Sequence, residues 1–377
     1  MVDKRKFKDI NVSLLGLGTM RLPCETEQKR ESNPNIDYDK AQSLVDLAYK
    51  NGVNYFDTAY MYHCGKSEAF IGYALKKYPR DTYFIADKLP IWMCDTKEDM
   101  KRVFDEQLER TGMDYFDFYL LHSLDNENFE KCEKFDAYDF LKQMQKEGKI
   151  KYIGFSFHGT VDDLRNIVSA HKWDFAQIQM NYLDWENQNA KMQYQILEEA
   201  GIPTIVMEPV RGGKLALVND EILDMFKSLK PNNSPASWAM GFVASHKNII
   251  TILSGMNSAE QMLDNLSTLT DFKPFTDIEY SLCEKAATII NKSEVISCTG
   301  CDYCQPCPKG IKISSFFSLY NSVVSGEIDI NSGRDKYNSY KVNPTACAWC
   351  NKCKNHCPQS ISVPDVLEGK VVKLFMQ

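Results

Sequence analysis

Asp57, Tyr62, Lys88 and His122 are an acid, a phenol, an ammonium and an imidazole set at intervals along the first third of the chain. Asp57, Lys88 and His122 belong to the ends of short β-forming runs at 55–59, 83–88 and 116–122, and Tyr62 follows the first of these runs. As hydride adds to a carbonyl carbon, negative charge gathers on oxygen and must be met by a proton. A phenol is a poor acid at neutral pH unless a nearby cation favours its phenolate, which is a task for Lys88. Asp57 would hold and balance that ammonium, while His122 would orient the carbonyl through a hydrogen bond and share in the proton handling. Singly, an Asp or Lys ending a strand is what a structural ion pair looks like; the four together point to chemistry.

Sulfur forms a second set. Eight of the thirteen cysteines fall in two short stretches near the C-terminus. Cys347, Cys350, Cys353 and Cys357 have the CxxCxxCxxxCP spacing of bacterial ferredoxins, in which three thiolates ligate one [4Fe–4S] cluster and the fourth ligates another. Cys298, Cys301, Cys304 and Cys307, in CTGCDYCQPCP, supply the partner motif, with a last interval of two residues where ferredoxins have three. The spacing implies crossed ligation: Cys298, Cys301, Cys304 and Cys357 on one cluster, and Cys347, Cys350, Cys353 and Cys307 on the other. Zinc is the alternative, since CxxC pairs also make tetrahedral sites; the four-cysteine runs followed by Pro308 and Pro358 favour iron and sulfide. Cys24, Cys94, Cys132 and Cys283 read as core or loop thiols. His63 and Cys64, beside Tyr62, read either as pocket lining or as ordinary loop residues.

The elements that must carry these groups repeat one grammar between residues 12 and 270: a β-rich apolar run, a stretch of helical period, then a Gly, Pro or charged break. The runs are 14–20, 55–59, 83–88, 116–122, 152–157, 175–182, 204–209 and 249–255, and helices are predicted at 39–50, 67–77, 97–110, 136–147, 161–171, 188–200, 235–245 and 258–269. Eight strand–helix units in this length predict an α/β fold, a closed (β/α)8 TIM barrel, and no GxGxxG turn follows the first strand to suggest a dinucleotide-binding open sheet. Chemistry in such a barrel sits at the C-terminal ends of the strands, where Asp57, Lys88 and His122 lie. A helix at 277–291 leads out of it, and composition changes at Cys298. The predicted domains are therefore a barrel at 1–292 and a small, α-rich, ferredoxin-like domain at 293–377, with a helix at 313–324. The loops 87–95 and 123–133 and a C-terminal lid are expected to set specificity.

The 377 residues, 44% hydrophobic and 25% charged, are ordinary for a globular protein. A net charge of −7 argues against nucleic acid or an anionic membrane as partner, and the short basic stretch at 4–8 does not change that. With no apolar signal core after those charges and no apolar stretch long enough for a bilayer, the expected location is the cytoplasm. Thirteen cysteines in such a chain suggest metal or redox chemistry.

The strings DTAYMY (57–62), FIADK (84–88) and YLLH (119–122) resemble the aspartate, tyrosine, lysine and histidine tetrad of the aldo/keto reductase family, in the family's order. LGLGTMRLP, IGFSFHG, AQIQMNY and MEPVRGGKL extend the likeness over nearly all of residues 8–270, and the C-terminal extension is similar to that of a subgroup binding two [4Fe–4S] clusters. The resemblance implies a nicotinamide cofactor, NAD(H) or NADP(H), at the barrel mouth. It places Gly18, Thr19 and Met20 at the cofactor's border, Ser156 and Gln177 at its carboxamide, and the segment of Met207, Pro209, Val210, Arg211, Gly212 and Gly213 at nicotinamide and pyrophosphate. Ser258, Gln261 and Asn265 fall in the adenosine-phosphate loop. The chain departs from the family at Phe157, where an asparagine is usual, and at Met207, where an aromatic is usual. It also has Gly255 and Gln261 where NADPH-preferring relatives carry cations, a change that leans toward NADH.

Together these features lead to an oxidoreductase of a small carbonyl or alcohol, its clusters serving electron transfer to a carrier such as ferredoxin, or docking. No flavin motif is present to convert between two-electron hydride chemistry and one-electron clusters. The alternative is a catalytically silent nicotinamide sensor or electron-carrier module.

Overall fold

The computed structural model describes residues 1–25, 35–292, 295–359 and 361–376. The chain divides into two compact units, one of Met1–Val210 and Leu215–Lys285, the other of Arg211–Lys214 and Ala286–Gln377. The division passes through a continuous helix, Asp277–Asn291, rather than near residue 292, and it assigns four residues of the seventh-strand loop to the second unit.

All eight predicted runs become strands of the first unit. After an N-terminal pair, β1 (Lys4–Phe7) and β2 (Ile10–Ser13), come β3 (Leu15–Gly18), β4 (Tyr55–Asp57), β5 (Phe84–Leu89), β6 (Phe116–Leu124), β7 (Ile150–Phe157), β8 (Phe175–Gln179), β9 (Thr204–Met207) and β10 (Ile249–Ser254). β3 to β10 close into a parallel barrel in sequence order, β10 pairing with β3. Buried on both faces, these strands read as nearly continuous apolar runs, as parallel sheets do.

Helices α1 (Tyr38–Lys50), α2 (Lys66–Leu75), α3 (Lys97–Thr111), α4 (Asn126–Lys134), α5 (Ala137–Lys146), α6 (Val161–Ala170), α7 (Asp184–Asn187), α8 (Ala190–Glu199), α9 (Asp220–Leu229), α10 (Pro235–Ala244), α11 (Ala259–Thr268) and α12 (Asp277–Asn291) belong largely to this unit, α12 running across the division. Their limits follow local chemistry. At α3 the Asp99 carboxylate accepts the Thr96 N–H at 2.9 Å, and the helix stops at Gly112, whose φ of 63° needs no Cβ.

Two expectations, the loops 123–133 and 87–95, are corrected, and the basic N-terminal stretch takes a definite form. The basic N-terminal stretch is the β1–β2 hairpin: Phe7 and Val12 pack against Tyr55, Phe118, Phe175 and Ile205, while Arg5 donates to the carbonyls of Ala244, His246 and Ile249. The expected loop 123–133 is mostly α4, started by the Asp125 side chain accepting the Asn128 N–H at 2.8 Å. The stretch 87–95 is β5 as far as Leu89, followed by a short turn of helix at Ile91–Met93.

In the second unit α13 (Ile313–Val324) forms where predicted, and α14 (Ile330–Ser339) follows it. Phe316, Phe317, Tyr337, Leu367, Val371 and Phe375 build its core, and Cys298, Cys304, Cys307, Cys347, Cys353 and Cys357 pack against that core. No helix of the described residues is long and apolar enough to cross a membrane.

Candidate active site and cysteine pocket

Asp57 lies in register with Gly18 of β3 and Ala86 of β5, so the end of β4 is flanked by a residue without a side chain and by a small one. Into the space left reaches Lys88 from β5. Its Nζ donates to Asp57 Oδ1 at 2.7 Å and to the Thr58 carbonyl at 2.6 Å, and lies 4.9 Å from the centroid of the Tyr62 ring. The Tyr62 and His122 rings meet edge to face at 6.4 Å, and Trp92 stands 5.0 Å from His122 on another side. The structure thus gathers all four candidate groups.

Lys88 has no exposed surface, Asp57 has 2% and His122 has 3%. Burial raises the Asp57 carboxyl, and Lys88 opposes that rise. Burial, aided by the charges of Lys88 and His158, holds His122 well below the usual imidazole range, so its ring is neutral at physiological pH. His122 Nδ1 and Asp57 Oδ2 are buried and lack hydrogen-bond partners among the described residues.

Backbone geometry aims these groups. Tyr62 opens a tight turn in which His63, Cys64 and Gly65 all have positive φ, of 50°, 53° and 85°. For two non-glycine residues that conformation costs on the order of 1 kcal/mol each, strain of a kind concentrated at functional sites. Beyond His122, β6 bulges: Leu121 pairs with Phe155 and Leu124 with Phe157, so β6 takes one residue more than β7. The bulge falls at Ser123, φ 56°, whose N–H donates to Ser156 Oγ at 2.7 Å.

Successive strand residues point to opposite faces. Lys88 turns toward Asp57, and Asp87 therefore turns to the helices, where the Gln107 amide donates to Glu68, Asp87 and the Lys88 carbonyl at 3.1, 2.9 and 3.0 Å. Arg110 pairs with Glu68 at 3.0 Å, and the Lys88 N–H donates to Asp87 at 2.8 Å. Burial and then the Glu68 charge hold the Asp87 carboxyl well above its usual range. Glu68, Asp87 and Gln107 back the lysine and were not singled out from the sequence; an acid directly beside a catalytic-type lysine at a strand end was the available signal. A Cβ on Gly72 would fall 2.0 Å from the Thr111 carbonyl oxygen, so glycine lets α2 close on α3 and brings Glu68 to Gln107 and Arg110.

The residues expected around a nicotinamide are placed as follows. Thr19 is buried, its hydroxyl donating to the Asp57 carbonyl at 2.8 Å, while Gly18 and Met20 flank it half-buried. Gln177 is buried with Oε1 unpartnered among the described residues and its amide against Met207 Sδ at 3.4 Å. A buried acceptor of this kind suits a carboxamide N–H, so Ser156 and Gln177 fit the group. Ser258 caps α11 by accepting the Gln261 N–H, Gln261 accepts the Asn257 N–H, and Asn265 donates to Ser254 at 2.9 Å. Pro209 and Val210 stay with the first unit; Arg211, Gly212 and Gly213 belong to the second. Arg211 there donates from Nε and Nη2 to Gln359 Oε1 at 3.2 and 3.1 Å.

In the second unit Cys307, Cys347, Cys350 and Cys353, with Cys304, line a small pocket together with Ile311, Ile313, Pro364 and Leu367. Burial, then Cys301, Asp302, Cys298 and Cys357, push the Cys304 thiol up; burial, Cys347 and Cys307 push up Cys353. Cys304 thus feels the charges of Cys301, Cys298 and Cys357, and Cys353 those of Cys347 and Cys307. The Cys304 and Cys353 thiols, partly buried and crowded by other sulfurs, would suit a cationic core. Among the described residues no three His, Cys, Asp or Glu side chains are close enough to grip one metal ion. A tetrahedral zinc with bonds of ~2.3 Å needs its sulfurs much closer together than a four-iron cube does. Cys94, Cys132 and Cys283 are buried, as core thiols. Cys24 sits 3.8 Å from His63 Nδ1, and Cys64 is exposed.

The model of the aldo/keto reductase family matches residues 14–288. An NADH-specific methylglyoxal reductase from Escherichia coli K12 is 24% identical over 309 residues, covering 69% of this chain and 91% of that protein. L-galactose dehydrogenase of Arabidopsis thaliana is 22% identical over 274 residues, covering 67% and 84%. Among solved structures, the holo form of aldo-keto reductase AKR11C1 from Bacillus halodurans matches with a TM-score of 0.61 at 24% identity, over 76% of this chain and 96% of that one, a likeness of fold.

Proposed function

The chain belongs to the aldo/keto reductase family, and from that premise we propose that this oxidoreductase interconverts a small carbonyl and its alcohol with NAD(P)(H), Tyr62 giving and taking the proton. The observation that carries the reading is the Lys88 ammonium, fixed 2.7 Å from Asp57 and 4.9 Å from the Tyr62 ring centre. When bound, the reduced nicotinamide supplies hydride. The chain's own part is the oxygen end of the carbonyl: Tyr62 passes its hydroxyl proton to the developing alkoxide, and Lys88 stabilises the phenolate left behind. Asp57 and the Thr58 carbonyl hold the ammonium in place. His122, neutral through burial, orients the carbonyl with a ring N–H. Gln177 and Ser156 would hold the carboxamide.

Residues 293–377 read as the ferredoxin-like domain, with Cys298, Cys301, Cys304 and Cys357 on one [4Fe–4S] cluster and Cys347, Cys350, Cys353 and Cys307 on the other. The ferredoxin spacing and the cysteine-lined pocket support this. When bound, such clusters supply one-electron chemistry, and a ferredoxin-type carrier in the cytoplasm is the partner that fits.

The test is steady-state turnover of the anaerobically purified protein on a panel of carbonyls, with NADH against NADPH. The panel includes methylglyoxal, because the E. coli relative is named for it. Turnover that disappears in Tyr62→Phe supports the enzyme; turnover equal in both proteins sinks the assignment of Tyr62, and none in either leaves the silent sensor as the better account. Iron and sulfide analysis of the same preparation tests the clusters.

A further inference from the structure

We infer that Arg211 and Lys214 set the reduction potential of the cluster held by Cys298, Cys301, Cys304 and Cys357, raising it above that of its neighbour. The inference rests on the reading of those cysteines as cluster ligands.

The segment Arg211–Lys214 follows β9 in sequence, yet its cations serve the second unit. Arg211 is 3% exposed and donates twice to Gln359, two residues beyond Cys357. Lys214 donates to the carbonyl of Ile296, itself buried and two residues before Cys298. The Lys214 ammonium and the Cys298 sulfur interact electrostatically, and the Gly300 N–H donates to that sulfur at 3.4 Å. Both cations are therefore tied to backbone or side chains flanking ligands of one set. Asp302 is the opposing charge, acting on Cys298 and Cys304. Lys214 thus opposes Asp302 at Cys298, and the Arg211 charge acts on Lys214 from the side of Gln359. Lysines also line the other set's pocket, but Lys309 and Lys352 are exposed, where water and salt screen them.

Adding one electron to a cluster with four thiolate ligands adds one negative charge. A buried cation stabilises the reduced form more than the oxidised one, and net charge, hydrogen bonds to sulfur and solvent exposure are what tune such potentials. Arg211 and Lys214 act through charge on the cluster and are positioning residues for it.

The experiment is voltammetry, or dithionite titration followed by electron paramagnetic resonance, on the full chain holding its iron and sulfide. Lys214→Gln is expected to lower one of two potentials, cutting the reduced fraction of that cluster about tenfold at fixed potential, equivalent to about 59 mV for one electron. The second potential stays in place, and Lys214→Arg restores the first. Arg211→Gln is expected to move the same potential in the same direction, and it decides the matter should Lys214→Gln lose its iron. Full iron content with neither potential moved by either substitution overturns the inference. A wild-type chain without iron and sulfide overturns the reading of the cysteines instead, so the two failures are told apart.

Discussion

Lys88 Nζ lies 2.7 Å from Asp57 Oδ1, and both side chains are shut off from water. Two buried charges are tolerated here because each answers the other and because the Thr58 carbonyl accepts a further hydrogen bond from the ammonium. This pair, delivered by adjacent strands, puts the Lys88 Nζ 4.9 Å from the ring centre of the neighbouring phenol.

Asp57→Asn leaves that cation without its counter-charge. Loss of one partner of a buried pair costs about 3–5 kcal/mol, and denaturant unfolding should register a loss of that order together with a fall in kcat. The double variant Asp57→Asn, Lys88→Met should recover much of the stability but none of the activity. Equal stability of wild type and Asp57→Asn would contradict a desolvated ion pair.

Acid should unfold the barrel through its histidines. Burial holds His122 well below the usual range and His158 down to about 4. An unfolded imidazole takes its proton near pH ~6.5, so from there down to about 4 the unfolded chain binds more protons and stability falls as pH falls. Each group contributes at most about 1.4 kcal/mol per pH unit. Denaturation curves across this window should show a shallower slope in His158→Gln; an unaltered slope would mean His158 titrates freely.

Asp87 has the opposite sign. Its carboxyl keeps a proton in the folded chain that the unfolded chain gives up above pH ~3.9, so its contribution to stability declines as pH rises. Asp87→Asn preserves the acceptor for the Lys88 N–H and removes the titration. The variant should gain on wild type progressively as pH rises above ~3.9. A constant difference would place the proton on Glu68.

Gly72→Ala drives a methyl into the Thr111 backbone, which cannot yield as a side chain would. We expect a loss of about 1–3 kcal/mol in unfolding free energy from the overpacking. A fall in kcat should accompany it as Glu68 is drawn away from Gln107. Unchanged stability and turnover would show that α2 shifts freely over α3.

Much of the barrel was legible because its information is local. Each strand is an apolar run buried on both faces, and each helix carries its own period and caps, so eight units could be counted from residues alone. The β1–β2 hairpin was hidden because its charged residues hold only Phe7 and Val12 inward, and α4 because its apolar face is narrow. The order of Asp57, Tyr62, Lys88 and His122 and the spacing of the cysteines were likewise plain.

What the residues by themselves determined was the set of strands and helices, the candidate acid, base, phenol and imidazole, and the two sulfur motifs. Tertiary structure alone decided that Lys88 loses all contact with water, that a bulge at Ser123 follows His122, that Asp87 turns away from the site to meet Glu68, and that Arg211 and Lys214 group with the unit that carries the cysteine motifs. The reason is physical. Periodicity reports which face of an element is buried, whereas desolvation, register and the partner found across a strand depend on chain distant in sequence and exist only once the barrel has closed.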